Sequence, residues 1–317
     1  MTGDPVLPAI LLKGPTASGK TALALYLVDR LPADIVSVDS GQVYRGMDIG
    51  TAKPPPEVLA RAPHRLVDIV DPADTYSAGR FRADALAAIR EIHAAGRIPL
   101  LVGGSMLYFR TLESGLAALP AAHPALRAEL DERARQQGWP ALHAELASAD
   151  PAAAARIHPN DAHRIQRALE VCALTGRPLS EIRRHATTAN EGIRFVKIVL
   201  APASREALRE RIERRFMEMI DSGFIAEVGR LHARGDLHRD MPSIRAVGYR
   251  QLWDLHAGRC TRADAIRRGI VATQRLAKRQ LTWLRSEPDT VRHDALEPGV
   301  NTHILKRVRH ELDDADH

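Results

Sequence analysis

Short apolar runs recur along the chain at residues 9–13, 34–38, 66–70, 98–102 and 195–200, each bounded by glycine, proline or polar residues. Unbroken apolar runs of this length suit strands buried on both faces, as in a parallel sheet. Helical periodicity separates most of them: 20–30 follows the first run and 78–95 precedes the fourth. This alternation predicts a doubly wound α/β layer. It stops after residue 102. Residues 115–190 are rich in Ala, Leu, Arg and Glu and predict helices at 116–135, 140–147, 151–157 and 161–175, with Gly176-Arg177-Pro178 as a stop. The run 195–200 then returns to the sheet, so the helical block is an insertion. Beyond Pro202, Ser204 is a candidate N-cap for a helix that keeps Leu208, Ile212, Phe216 and Met219 at helical spacing.

The last strong pattern spans 262–285. Ile266, Ile270, Ala277, Leu281 and Leu284 fall on one face, with Arg268, Arg275 and Arg279 opposite and Arg267, Lys278 and Arg285 flanking. It predicts a helix that docks an apolar face and shows a basic one. Residues 286–317 read as a polar tail that frays.

Hydrophobic residues make up 45% of the 317, enough for a core, while aromatics at 4% leave that core to Ala, Leu, Val and Ile. Two cysteines, Cys172 and Cys260, exclude a disulfide framework and a Cys-only zinc site. His158 and His163 read as surface histidines, because no third ligand is spaced near them. There is no run of about 18 apolar residues to span a membrane, and residues 1–8 lack the pattern of a secretory signal. A cytoplasmic setting is expected. The net charge is +6, but residues 204–285 alone hold 18 basic and 10 acidic residues. Such a block suits a polyanionic partner through phosphate contacts and counterion release, and also suits a solvated basic helix face.

Gly14-Pro15-Thr16-Ala17-Ser18-Gly19-Lys20-Thr21 matches G-x-x-x-x-G-K-[ST] between a strand and a helix. Backbone amides there close around phosphate oxygens, and the helix N-terminus adds partial positive charge. Lys20 neutralises the terminal phosphates and the Thr21 hydroxyl is suited to Mg²⁺. The expected fold is α/β: a P-loop NTPase-like parallel sheet with helices on both faces, formed by 1–115 and 191–317. A helical insertion at 116–190 and a helical C-terminal region complete it. Asp39 closes the second strand at the sheet's carboxyl edge, where ligands bind in such folds. It suits either a water-mediated Mg²⁺ contact or a general base.

The run Asp39-Ser40-Gly41-Gln42-Val43-Tyr44-Arg45-Gly46-Met47-Asp48-Ile49-Gly50-Thr51-Ala52-Lys53-Pro54 resembles the signature of tRNA dimethylallyltransferases, also called tRNA isopentenyl transferases. Gly103-Gly104-Ser105-Met106-Leu107-Tyr108 agrees, with serine where the family usually has threonine. So do Asn160-Asp161 with Arg164, Arg167, Ala168, Leu169 and Glu170, then Arg245-Ala246-Val247-Gly248-Tyr249-Arg250-Gln251, and Lys278-Arg279-Gln280-Leu281-Thr282-Trp283-Leu284-Arg285. The likeness runs in order from about residue 10 to 285.

The resemblance implies transfer of a dimethylallyl group from its diphosphate to N6 of the adenine immediately 3′ of the anticodon in tRNA. The phosphate loop, Gly14 to Thr21, then grips an isoprenoid diphosphate with Mg²⁺ at Thr21. Asp39 becomes the candidate base, with Lys20, Thr21 and Arg215 acting on the leaving diphosphate. Arg215 lies in a segment the family shares, and Ser105 sits at the sheet edge within reach of the target nucleotide. Asp39 to Gln42, Arg127, Gln166 to Glu170, Arg245 to Arg250 and Lys278 to Arg285 are expected to face the tRNA anticodon stem-loop. Tyr249 and Trp283 are candidates for stacking bases or for the core. A monomer is expected, with no membrane partner. A small-molecule kinase would share the loop but need a lid with paired arginines and an adenine site. An enzyme prenylating free adenine nucleotides would not need the basic helix. An RNA-binding protein without transfer chemistry would not need Asp39 and the motif after it.

Overall fold

The computed structural model describes residues 7–115, 117, 119–184, 192–287 and 290–313. They divide into two compact units, Met1–Glu113 with Glu191–His317 and Ser114–Asn190.

The first unit opens with β1 (Leu7–Lys13), α1 (Lys20–Val28), β2 (Ala33–Val38), α2 (Pro56–Arg61), β3 (His64–Arg65), α3 (Ala78–Ala94), β4 (Ile98–Gly103) and α4 (Met106–Ser114). The second unit holds α5 (Pro124–Gln137), α6 (Trp139–Ala149), α7 (Pro151–Ala154), α8 (Ala162–Thr175) and α9 (Leu179–Arg184). The chain returns to the first unit through β5 (Ile193–Ala201), α10 (Arg205–Asp221), α11 (Phe224–Ala233), α12 (Tyr249–His256), α13 (Arg262–Arg285), β6 (Val291–Asp294) and α14 (Val300–Asp313).

Six parallel strands lie in the order β3-β2-β4-β1-β5-β6. Successive side chains of a strand point to opposite faces, which is how one sheet carries two cores. Ala9, Leu11, Val36, Val38 and Leu101 pack on one side with α3, α11 and α12 residues. Ile10, Leu12, Ile35, Leu100 and Ile198 pack on the other with α1 and α14. Because β2, β4 and β1 are neighbours, the three loops leaving their carboxyl ends meet at one edge of the sheet.

Lys13 ends β1 fully buried and is neutralised by Glu113 and by Glu287, the latter at 2.7 Å. Lys197 pairs with the same Glu113 at 2.9 Å. A buried ammonium needs such partners, and this set ties the strand end to α4 and to the chain leaving α13.

Four expectations change. The run 66–70 is not a strand, because Leu66 and Asp68 take positive φ values of 64° and 58°. Its amides instead reach the loop after β2: Asp68 N donates to Gln42 O at 3.1 Å and Ile69 N to Val43 O at 3.0 Å. The helix expected over 116–135 begins at Pro124, a proline at its first position with a preceding proline at 120; Leu116 itself lies outside the described residues. On α13 the buried positions are Ala265, Gly269, Ala277, Gln280 and Leu284, while Ile266, Ile270 and Leu281 are half-buried. Small residues there permit closer backbone approach than an isoleucine stripe would. The supposed fraying tail forms β6, paired with β5, and α14, whose Ile304, Leu305 and Val308 are buried in the α1 face of the core.

If α14 is integral to that core, Ile304→Ala lowers unfolding free energy by about 2–5 kcal/mol, the usual range for truncating a buried isoleucine. Urea unfolding of the two proteins measures it. A change below about 0.5 kcal/mol, typical of surface positions, would mean the helix is peripheral.

Candidate active site

The phosphate loop turns from β1 into α1 by way of positive φ at Ala17 (62°) and Gly19 (97°). Gly14 is required sterically, since a β-carbon there would stand 2.2 Å from the Leu200 carbonyl oxygen. Lys20 Nζ donates to Pro15 O at 2.6 Å, folding its side chain back over the loop. Two residues of α10, one turn apart, reach the same loop. Arg211 Nε donates to Ala17 O at 2.9 Å, and Arg215 Nη1 contacts Thr16 Oγ1 at 3.4 Å. From α13, Gln280 Oε1 accepts from Thr16 N at 3.0 Å while its Nε2 donates to Gly104 O at 2.8 Å. Gln280 therefore spans the loops after β1 and β4.

The loop after β2 is held from within. Asp39 Oδ1 accepts from Gly41 N at 2.8 Å and Gln42 N at 3.3 Å, which orients the carboxylate. Gln42 takes a hydrogen bond from Ser37 Oγ at 2.9 Å and donates to the carbonyls of Thr51 and Ala52. Ser105 Oγ accepts from Ser40 N at 3.0 Å, joining this loop to β4. Further along, the buried Glu227 carboxylate of α11 accepts from the amides of Asp48, Ile49 and Gly50 and from the Tyr249 hydroxyl at 2.6 Å. The buried Lys53 ammonium is paired with Asp48 and Asp68 and donates to Tyr44 O.

These loops enclose a pocket of about 610 Å³. Thr16, Ala17, Lys20, Thr21, Asp39 and Arg215 line a polar part; Ile212, Phe216, Met219, Phe224 and Tyr249 line an apolar part. Ser40, Gly41, Gln42, Ser105, Arg245, Ala246, Val247, Arg279, Gln280 and Trp283 also border it. The polar residues among these were candidates from the sequence, whereas Ile212, Phe216, Met219 and Phe224 were not read as part of a site. Burial, then the nearby Arg215 guanidinium, pulls Lys20 down from 10.5 to about 7, against the opposing pull of Asp39. Burial also lowers Arg215, with Asp39 acting in the other direction.

Several expected contact residues have other duties. Tyr249 is fully buried and lines the apolar part of the pocket, and Leu284 lies in a core cluster. Gly41 and Gly248 are buried as well. Within the second unit, Ala168 and Leu169 are buried core residues, and Glu170 is fully buried. Glu170 holds both Arg127, at 2.8 and 2.9 Å, and Arg167, at 2.5 Å. Against burial, the largest single effect, Arg127, the His123 amide at 2.8 Å and Arg167 together hold Glu170 down to about 2. Gln166 donates to Asp131 at 2.8 Å. Lys278, Arg279, Thr282 and Arg285 are exposed on α13, and Arg250 and Leu281 are half-buried. Trp283 is half-buried, with the Arg110 guanidinium 5.7 Å from its ring centre. Arg211, Glu227 and Lys53 were not anticipated. Arg211 had a detectable signal, one helical turn before Arg215 on the same face; Lys53 had only its place in the signature after Asp39, and Glu227 had none, because its role exists only once distant segments meet.

Fold and site together define an α/β protein with a phosphate-loop motif after β1, whose pocket pairs a polar part at that loop with an apolar one. The family model for IPP transferase matches residues 42–287. A tRNA dimethylallyltransferase of Thioalkalivibrio sulfidiphilus is 57% identical over 310 residues, 97% of this chain and 96% of its own. That of Methylococcus capsulatus is 52% identical over 312 residues, 98% and 100% of the two chains. The full-length tRNA isopentenylpyrophosphate transferase of Bacillus halodurans, at 36% identity, superposes with a TM-score of 0.72 over 98% of both chains. A eukaryotic dimethylallyltransferase acting on tRNA shares the fold, with a TM-score of 0.77 at 24% identity over 95% of this chain and 77% of its own. The chain belongs to the IPP transferase family.

The lowered Lys20 sets a proton balance for anion binding. With Lys20 lowered to about 7, a free site above that pH leaves it mostly neutral, and an anion bound beside it would restore the charge. At pH 8, inorganic diphosphate binding should take up close to one more proton in the wild type than in Lys20→Arg, and the difference should vanish near pH 6. Titration calorimetry in buffers of different ionisation enthalpy reads the uptake. Equal uptake at pH 8 would place Lys20 at its ordinary value.

Proposed function

We propose that this chain transfers a dimethylallyl group from dimethylallyl diphosphate to N6 of the adenine immediately 3′ of the anticodon in tRNA, releasing diphosphate. It works as a monomer in the cytoplasm; among the described residues no helix is long and apolar enough to cross a membrane. The observation that carries the reading is the joining, in one pocket, of a phosphate loop, a carboxylate and an apolar part. A diphosphate ester with a hydrocarbon tail needs the first and the third. An acceptor that must lose a proton needs the second.

The adenine amino group is a weak nucleophile, because its lone pair is delocalised into the ring. Its N6–H is taken by Asp39 as the N6–C1 bond forms and the C1–O bond of the donor breaks. The proton passes from Asp39 to solvent. Negative charge develops on the leaving diphosphate, where Lys20, Arg215 and the amides of residues 17–21 converge. Ser105 hydrogen-bonds the base or sugar of the target nucleotide, which must be swung out of its stack to enter the crevice.

The donor chemistry of the site suits Mg²⁺. This cation takes few protein ligands and keeps phosphate oxygens and waters. Thr21 lines the pocket, Asp39 is the carboxylate among its lining residues, and the described residues form no cage of three or more ligating side chains. Thr21 would hold the ion with the diphosphate, and when bound it supplies charge neutralisation at the leaving group.

The tRNA rests on exposed groups near the pocket mouth and along α13, where Arg268, Arg275 and Arg279 are all exposed. Within the second unit, Arg127 and Gln166 to Glu170 shape that unit's own surface, which also contacts the tRNA.

Two measurements test the assignment. Asp39→Ala should lower single-turnover transfer by about 10²–10⁴ while leaving tRNA affinity within about tenfold; near-normal transfer would remove Asp39 as the base. Replacing Arg268, Arg275 and Arg279 together by Gln should weaken all tRNAs similarly and flatten the salt dependence of binding by about one unit or less per charge. Affinity for dimethylallyl diphosphate should barely change when Arg268 and Arg275, which do not line the pocket, are replaced without Arg279. Unchanged tRNA affinity and slope would make this a solvated helix face.

A further inference from the structure

The face of α10 that supplies Arg215 to the phosphate loop continues with Phe216 and Met219, after Ile212 one turn earlier. These positions are spaced i, i+3, i+4 and i+7, so one helix stripe carries both a phosphate-binding cation and an apolar lining. From Arg215 to Met219 the helix rises only about 6 Å. A tail attached to a diphosphate at Arg215 and Lys20 therefore meets the end of this stripe within a few carbons.

What it meets there is rigid. The Phe216 and Phe224 rings stand edge to face at 6.2 Å, and Phe224 stands edge to face with Tyr249 at 4.9 Å. All three are buried. Backbone walls close behind them. A β-carbon at Gly269 would lie 2.2 Å from the Phe216 ring, and one at Gly50 would lie 2.1 Å from Phe224. The Tyr249 hydroxyl is fixed on Glu227, which also clamps the amides of the segment carrying Gly50. The rings have no space into which to retreat, so the apolar part cannot lengthen for a larger ligand.

We propose that the Phe216–Phe224–Tyr249 wall, with Met219 in front of it, gauges the donor's hydrocarbon chain and restricts transfer to a five-carbon group. This rests on the reading of the pocket as a prenyl diphosphate site. The bond changes are those of the transfer itself; the wall acts only on which tail is accepted. Rejection arises because a ten-carbon tail must either displace packed rings or leave apolar surface in water, and each added methylene can change discrimination by about tenfold or more.

The test compares kcat/KM for dimethylallyl and geranyl diphosphate with the same tRNA. The half-buried Met219→Ala removes volume without entering the packed ring cluster, and Phe216→Leu opens the wall itself. Wild type should favour the five-carbon donor by at least about a hundredfold. Each variant should narrow that ratio by about tenfold or more, through geranyl use, with the KM for tRNA within about twofold. Phe216→Leu is included only with a native circular dichroism spectrum, and Met219→Ala keeps the test decisive if it does not fold. An unchanged ratio in folded Met219→Ala would overturn the gauge. So would a raised tRNA KM with an unchanged donor ratio, which would assign the apolar part to the base. If wild type transfers neither group to tRNA, the reading of the reaction fails, a result separate from both.

Discussion

A carboxylate buried without water must be met by donors, and Glu227 is met by four. Three are backbone amides of residues 48–50 and the fourth is the Tyr249 hydroxyl. Leaving such a charge unpaired is costly, so the four groups are effectively one unit. Burial and the adjacent carboxylate both push the Tyr249 phenol well above its usual range, so it remains a donor. Through Glu227 the long segment after β2 is fastened to α11 and α12. That segment begins with Asp39, and its far end contributes Gly50 and Thr51 to the pocket. The position of the candidate base and the depth of the apolar part thus share one support.

Electrostatics at the other end of the pocket follow a different rule. Lys20 and Arg215 are neighbours of like charge, both destabilised in their charged forms by burial, with Asp39 as partial relief for both and Glu218 for Arg215. Such a pair is poorly satisfied by the protein alone and is best satisfied by an anion between them. Elsewhere the chain neutralises buried cations with its own carboxylates, as at Lys13 and Lys53. The contrast separates cations that hold the fold from a pair whose surroundings suit a bound anion.

The strands that form the site were readable because burial on both faces leaves a compact apolar run, as in Leu11, Leu12, Val36 and Leu101. The phosphate loop was readable because its chemistry is local: glycines, a lysine and a hydroxyl within eight residues. The run 66–70 misled because apolarity alone does not fix φ, and Leu66 adopts a left-handed conformation to support the neighbouring loop. The last helix was missed because residues around β6 and α14 are mostly polar, with the apolar stripe confined to Val300, Ile304, Leu305 and Val308. Glu170 looked like a surface contact in sequence and is a buried hub for two arginines. Its partners lie 43 and 3 residues away, and only folding brings the distant one into reach.

Gln280 occupies the Thr16 amide with one end of its side chain and the Gly104 carbonyl with the other, on the helix whose outer face carries Arg268, Arg275 and Arg279. A rigid rod with cations on one side and a carboxamide latch on the other is a lever. Any polyanion that shifts the rod by a fraction of an ångström changes the length of the bond to Thr16. Were binding at the outer face to move Gln280, thermodynamic reciprocity would make filling the phosphate loop alter affinity there by the same factor.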